Sequence, residues 1–313
     1  METVDSYLKQ LLLLAQPLAP LDLPLLDAHG ATLASDIEVG SRRVLTGGYR
    51  IRSTHIGIAA SVGLDHLPTH PHPRVVVISA GGDLTEPGEQ LETAHFYEVN
   101  SWLLTTSVRE AGAIAYRVHT IPTTAEQLRL LIEDQLVRAD LVVITSGPES
   151  ESMTQEALTE LGVISKIQVE MNPTGNHSFG LIGPDKTPVI TLPTNPMSAF
   201  ISFELFVRPM IRQMFSRKNI FHPTLNAKLV EAVNFEASVQ RYLPAVLDLI
   251  HSEKTVKALD LENWADANSF IIVPSGVTNL AVGELASVMN LKLRADQSAA
   301  SKWRNKITTT TKN

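Results

Sequence analysis

Two short runs of uninterrupted apolar residues constrain this chain more than any other feature. Val75-Val76-Val77-Ile78 and Leu141-Val142-Val143-Ile144 would present apolar side chains to both faces of a strand. Such strands belong inside a parallel sheet covered on both sides, because a sheet with one wet face alternates polar and apolar residues instead. Helical patterns lie between them. The spacing predicts a helix from about Phe96 to Ala111. A second begins at Thr124, which with Gln127 forms a capping box ahead of Leu128, Leu131, Ile132 and Leu136. Ala115 to His119 reads as a strand and Gln155 to Leu161 as a short helix. Strands follow near Ile167 to Met171 and Val189 to Leu192, and a long helix runs from Pro196 to about Phe215. The expected fold class is α/β, a mainly parallel sheet with helices on both faces.

The flanks read differently. Val4, Leu8, Leu11, Leu12 and Ala15 fall at helical spacing, and Pro17, Pro20 and Pro24 end that helix. Another helix is expected over Leu25 to Leu33, a turn at Gly47-Gly48, and a short helix from Thr54 to Val62. His70-Pro71-His72-Pro73 reads as a linker. After Asn219 the periodicity shortens to strands at Lys228 to Val233, Leu243 to Ile250, Val256 to Leu259 and Phe270 to Val273. The division expected is an N-terminal helical and extended segment (1–73), an α/β domain (74–217), a small C-terminal β domain (218–292) and a basic, disordered tail (293–313).

Composition excludes several chemistries. There is no cysteine among the 313 residues, so disulfides, thiolate nucleophiles and thiolate metal sites are ruled out. The net charge of −7 argues against a general nucleic-acid binder. Residues 291–313 hold six basic residues against Asp296 alone, a net of +5, which leaves −12 for the rest of the chain. Glu2 and Asp5 stand where a signal peptide needs positive charge, and Leu11 to Ala15 is too short to span a bilayer. A cytoplasmic protein without a transmembrane segment is expected.

In an open α/β sheet, ligands bind beyond the carboxyl ends of the strands. Three loops qualify: Ser79 to Asp83, Thr145 to Ser150, and Thr191 to Ser198. Their glycines, hydroxyls and helix N-termini suit an anionic ligand. There is no Walker lysine motif and no Gly-x-Gly-x-x-Gly fingerprint.

These loops also carry a resemblance to the molybdopterin molybdotransferase family, the bacterial MoeA proteins and the E domain of gephyrin. Ser79, Gly81 and Leu84 stand where the family has Ser-Thr-Gly-Asp-Glu-Leu, and Glu86-Pro87-Gly88-Glu89 continues it. Tyr97, Asn100, Ser101 and Leu103-Leu104 match its Tyr-Asp-x-Asn-x-x-x-Leu helix start. Leu192 to Ala199 matches Leu-Pro-Gly-Asn-Pro-Val-Ser-Ala, and Phe203 to Pro209 the helix beyond. The resemblance covers about residues 1–290. It implies insertion of molybdate into adenylated molybdopterin with Mg2+ and release of AMP, and it implies a homodimer. The ligand residues it implies are Asn100, Ser146, Gly147, Asn195 and Ser198. Asp83 is the implied metal ligand, and Asp83 and Glu98 are vestiges of the catalytic acids.

The departures from that pattern are chemical. The family's Pro-x-x-Asp-x-Ser-x-Met-Asp-Gly-Tyr-Ala motif and the inserted domain it belongs to have no counterpart here; Asp36 to Arg52 bridges toward Ile56 to Gly63. The acidic pair of the first loop is Gly82 and Asp83. The glycine-rich second loop is Ser146-Gly147-Pro148-Glu149-Ser150-Glu151-Ser152, where Pro148 lacks an amide donor and two glutamates add negative charge. The Lys-Pro-Gly-Lys-Pro segment is Asn172 to Asn176, without lysine. Thr191 and Thr194 replace glycines whose missing Cβ would admit a phosphate. A catalytically degenerate member is therefore expected. The alternative is a non-catalytic, gephyrin-like dimeric scaffold that binds a partner-protein peptide.

The remaining features read blandly. His70 and His72 lack an assignable third metal ligand, and His29, His55 and His66 read as surface residues. Glu149, Glu151 and Glu156 read as a solvated acidic loop. Ser146 has no identifiable His–Asp partners for a nucleophile's role. The tail with Trp303 reads as a solvated end, or as a contact for an anionic surface or acidic partner.

Overall fold

The computed structural model describes residues 1–147, 150–173, 175–235, 239–249, 254–259 and 263–292. The expected disordered tail, Pro148 and Glu149 lie outside the described residues. Contacts divide the chain into two compact units, one of residues 1–169 with 175–218 and one of 170–174 with 219 onward.

The first unit opens with α1 (Val4–Leu14), capped by Thr3, whose hydroxyl accepts the Ser6 amide. Beyond it lie β1 (Leu21–Pro24), β2 (Thr32–Leu33), β3 (Ile37–Val39), β4 (Arg42–Leu45), α2 (Ser53–Ser61) and β5 (His66–His70). No helix forms over Leu25 to Leu33. Pro24 and Gly30, at φ +90°, leave only five residues between them, and Ala28 and Leu33 are drawn into a small core with Ile51, Ala59 and Leu67. His70 and His72 form no loose linker: each donates Nδ1–H to a carbonyl, of Leu18 (2.7 Å) and Gly112 (2.6 Å).

The central sheet is built from β6 (Arg74–Ala80), β9 (Ile114–Arg117), β10 (Leu141–Ser146), β11 (Gly162–Gln168), β13 (Asn176–Ile182) and β14 (Thr187–Leu192), in the order β11-β13-β14-β10-β6-β9. The four strands β14, β10, β6 and β9 are parallel, with Val76 opposite Val142 and Val142 opposite Val189. The β11–β13 hairpin adds an antiparallel edge. Val75 to Ile78 and Leu141 to Ile144 are fully buried, and each such side chain contributes about 1.5–3 kcal/mol of transfer free energy. Val76, Ile78, Val142 and Ile144 pack with Leu128 and Ile132 of α4 (Ala125–Leu136) and Ala157 and Leu158 of α5 (Glu151–Leu161). The opposite face takes α3 (Asn100–Ala111) and the helix that starts at Pro196. That helix runs as α6 (Pro196–Ser202), a π-turn over Phe203–Val207, and α7 (Arg208–Met214). The wide turn accommodates Pro209, which has no amide to donate and would clash in a tight turn. Among the described residues no helix is long and apolar enough to cross a membrane.

Tyr7 anchors α1 among His177, Phe179 and Phe206, its ring centroid 5.4, 5.4 and 4.8 Å from theirs. His177 is fully buried, with Nε2 3.1 Å from Ser202 Oγ. Burial pushes its pKa from 6.5 down to about 4, opposed by the backbone at Gly175. The unfolded chain therefore binds a proton below pH 6.5 that the folded chain refuses until about pH 4. Stability falls as pH drops through this window, by up to about 3 kcal/mol. His177→Phe is expected to flatten that limb of a melting-temperature–pH profile; an unchanged slope would assign the acid sensitivity elsewhere.

In the second unit, β15 (Thr224–Leu229), β17 (Gln240–Asp248), β18 (Thr255–Ala258), β19 (Ser269–Val273) and β21 (Leu285–Asn290) pair in the cycle β17-β18-β15-β21-β19-β17. The short β12 (Met171–Asn172) lies parallel to one end of β17. Ala227, Leu229, Ala245, Val256, Ile271 and Val288 fill the interior of this closed ring.

Candidate functional site

The chain leaves β6 to form β9 on one side, then returns to place β10 on the other. The strand order reverses between β6 and β10, and such a reversal opens a crevice at the carboxyl ends. A cavity of about 620 Å³ lies there. Ala80 at the end of β6 and Gly147 after β10 form its floor, with Ser150 at the start of α5 and Thr194 to Pro196 at the start of α6. Its remaining wall comes from the connection between β6 and α3, in which β7 (Leu84–Thr85) pairs in parallel with β8 (Phe96–Tyr97).

That pairing explains why the predicted helix at Phe96 starts only at Asn100. Glu98, 1% exposed, turns its carboxylate inward. Its Oε1 accepts from Ser79 Oγ (2.6 Å) and from the Ser101 amide (2.8 Å), an otherwise unpaired first-turn donor of α3. Its Oε2 accepts from Ser101 Oγ at 2.5 Å. Ser79 in turn accepts from Thr145 Oγ1 (2.9 Å), and Ser101 from Arg117 Nε (2.6 Å). Arg117 also pairs with Glu86, donates to His119 Nδ1 (2.7 Å), and lies over the Trp102 ring at 4.1 Å. One connected network thus ties the ends of β6 and β10, the wall loop, α3 and β9 together. Both Glu98 oxygens are engaged, so this carboxylate holds the wall in place.

Asp83 lines the cavity, and a Cβ on Gly81 would sit 3.0 Å from its Oδ1 and 3.3 Å from Ser150 Oγ. Glycine at 81 is what lets these polar groups converge. Asn100 lines the same space and donates Nδ2–H to the Thr194 carbonyl (2.7 Å), while its Oδ1 is buried without a partner. Asn195 lines it too, and its Oδ1 accepts from the Ser198 amide (3.0 Å), capping α6. Ser198 sits behind the cap and Ser146 beneath the floor, where it accepts from Thr154 Oγ1 (2.9 Å). Asp83, Glu98, Asn100, Gly147 and Asn195 therefore meet around one cavity, with Ser146 and Ser198 supporting it.

Some sequence expectations change in place. Glu151 does not leave a bare charge, since Lys166 Nζ lies 2.5 Å away and Asn176 donates to the same carboxylate. These contacts hold its pKa below the usual carboxylate range, the Lys166 hydrogen bond most of all. Thr191 is buried in β14 and accepts the Ser178 amide (2.6 Å), so its side chain serves the sheet. Thr194 does line the cavity. Ser150 and Arg117 were not anticipated. Ser150 sits in a quoted loop yet is distinguished only once α5 starts there, and nothing local to Arg117 signals its role.

Among the described residues the wall holds Asp83 and Glu98 and no Lys or Arg. Among the described residues no three His, Asp or Glu side chains converge as a metal cluster.

A four-stranded parallel core with a crevice at its switch point is the architecture of a ligand-binding α/β domain. A family described as "Probable molybdopterin binding domain" matches residues 76–213. "Molybdopterin molybdenumtransferase 2" of Mycobacterium tuberculosis (strain CDC 1551 / Oshkosh) is 31% identical over 278 residues, covering 84% of this chain and 67% of the relative. "Molybdopterin molybdenumtransferase 1" of the same strain is 31% identical over 274 residues, covering 83% of this chain; the chain spans 64% of that relative's length. A crystal structure of the molybdopterin biosynthesis MoeA protein of Pyrococcus horikoshii superposes with a TM-score of 0.78 at 17% identity, over 93% of this chain and 99% of that one, a likeness of fold. The chain belongs to the molybdopterin molybdenumtransferase (MoeA) family.

Proposed function

We propose that this chain binds a molybdopterin-type ligand in the cavity between the β6 and β10 ends, within molybdenum cofactor biosynthesis, and that its molybdenum-transfer step is impaired. The cavity wall carries this reading: among the described residues it offers apolar and hydroxyl surface with two carboxylates and no cation. A planar heterocycle suits such a wall, whereas phosphates and molybdate gain nothing from it. Each missing charge-assisted contact withholds about 1.5–3 kcal/mol, so two absent lysines cost roughly two to four decades of affinity for the anionic part. Asp83 would hold magnesium only together with the ligand's own phosphates.

The test is a titration of the purified chain with adenylated molybdopterin, molybdate and Mg2+, following both bound ligand and released AMP. Binding without magnesium-dependent AMP release is the expected result. Sustained turnover would overturn the impairment. Absence of any binding would overturn the ligand assignment.

A further inference from the structure

Asn100, the first residue of α3, lines the cavity and is only 7% exposed. The two ends of its amide meet different surroundings. Nδ2 donates to the Thr194 carbonyl at 2.7 Å, while Oδ1 is buried with no partner among the described residues. Flipping the amide brings no relief, because it would set Oδ1 against the Thr194 carbonyl oxygen, acceptor to acceptor. The acceptor is therefore fixed in place, and its partner must come from outside the fold. Water can supply a donor. A ligand that displaces the water must carry its own, or it leaves the oxygen unpaired.

The rest of the wall narrows the chemistry of that donor. Asp83 adds a second acceptor, and no Lys or Arg lines the cavity among the described residues. Phe96 and Tyr97, 65% and 45% exposed, offer aromatic faces to a flat ring. A suitable ligand is planar and presents N–H groups along one edge. Resting on the molybdopterin-type ligand proposed for this cavity, we infer that Asn100 determines specificity for the 2-amino-4-oxo edge of a pterin ring, its Oδ1 accepting from the exocyclic amine. The ring N–H beside that amine is a second donor for a wall lined with acceptors.

The test titrates the intact protein with two probes, followed by ligand-observed NMR. One is pterin. The other is lumazine, in which a carbonyl oxygen replaces the exocyclic amine. Pterin is expected to bind at least about tenfold more tightly, since a site built around a hydrogen bond rejects the analogue that leaves it unmade. Asn100→Leu removes the acceptor at similar volume. It should bring the two probes within about twofold of each other, with pterin losing affinity and lumazine keeping its own. Asn100→Asp retains an acceptor and should retain the preference, which mere loosening of the wall would not. Melting temperatures show which variants fold, and the parent protein decides the preference without them. Equal binding of the two probes to the parent, or a preference that survives Asn100→Leu, would overturn the role of Asn100 and leave the cavity's ligand standing. Binding of neither probe would overturn the ligand assignment and this selectivity with it.

Discussion

Glu98→Ala is expected to destabilise the α/β unit by about 3–5 kcal/mol, the cost of breaking a buried charge network from one side. Four effects add. Ser79 and Ser101 lose their acceptor, the Ser101 amide loses its helix-capping partner, and Arg117 loses a carboxylate 3.6 Å from its guanidinium. The wall loop loses its tie to β6. Glu98→Gln keeps one acceptor oxygen and the side-chain volume, so a loss of about 1–3 kcal/mol is expected. Chemical denaturation followed through Trp102, which stacks on Arg117, measures both. If the two variants unfold together with the parent, the network is ornamental and the wall is held by something else. The ligand assignment gives a second readout. Glu98→Gln should weaken cavity binding through a misplaced Tyr97 and Asn100 even at temperatures where the fold is intact.

Arg208→Met is the other large effect. Arg208 and Glu204 are 5% and 3% exposed and face each other across the π-turn, with Arg208 Nε and Nη2 at 2.5 and 2.6 Å from the two carboxylate oxygens. Removing the guanidinium takes away the two charge-assisted hydrogen bonds Glu204 receives from it inside the helix layer, at about 3–5 kcal/mol. If the pair is the origin of that loss, the cost of Arg208→Met should be much smaller in a Glu204→Leu background. Two substitutions that simply add, each as costly in the other's presence, would show that the ion pair is not the origin. The pair holds the helix whose start, at Asn195 and Pro196, lines the cavity. Its loss should reach the site as well as the melting temperature.

The parts of this structure legible in the sequence are those whose signals are local and unopposed. Val75 to Ile78 and Leu141 to Ile144 become the central parallel strands because nothing polar interrupts either face. Thr124 caps α4 by accepting the Gln127 amide at 3.2 Å, as its spacing predicts, although the Gln127 side chain turns back to Thr123 and not to Thr124. The β11–β13 hairpin was hidden by its glycines. A Cβ on Gly180 would lie 2.0 Å from the Val163 carbonyl, so the residue that weakens the strand pattern is the one the close approach requires. The false helix at Leu25 to Leu33 shows the converse, where apolar periodicity was satisfied by a small side core. In the site, Asp83, Asn100 and Asn195 could be picked out because they belong to the motifs that carry the family resemblance. Glu98 enters from the sequence only as a vestigial acid, and the three-dimensional arrangement is what shows four hydroxyl, amide and guanidinium groups closing around it. Arg117, one strand away, had no signal at all.

The cycle of five strands in the C-terminal unit bears on how this protein meets others. Among the described residues each of these five strands has a neighbour on both sides, so the ring presents no long row of free amides and carbonyls. It cannot lengthen by accepting an extended peptide, nor zip edgewise to a copy of itself. Main-chain pairing with a partner is thereby left to strand edges outside the ring, among them the open margins of the other unit's large sheet along β11 and β9. On β11 Lys166 is placed as a charged guard, already paired with Glu151. Recognition at the ring must instead be read from side chains and loops, a surface that can change in sequence without disturbing the hydrogen bonds that hold it closed.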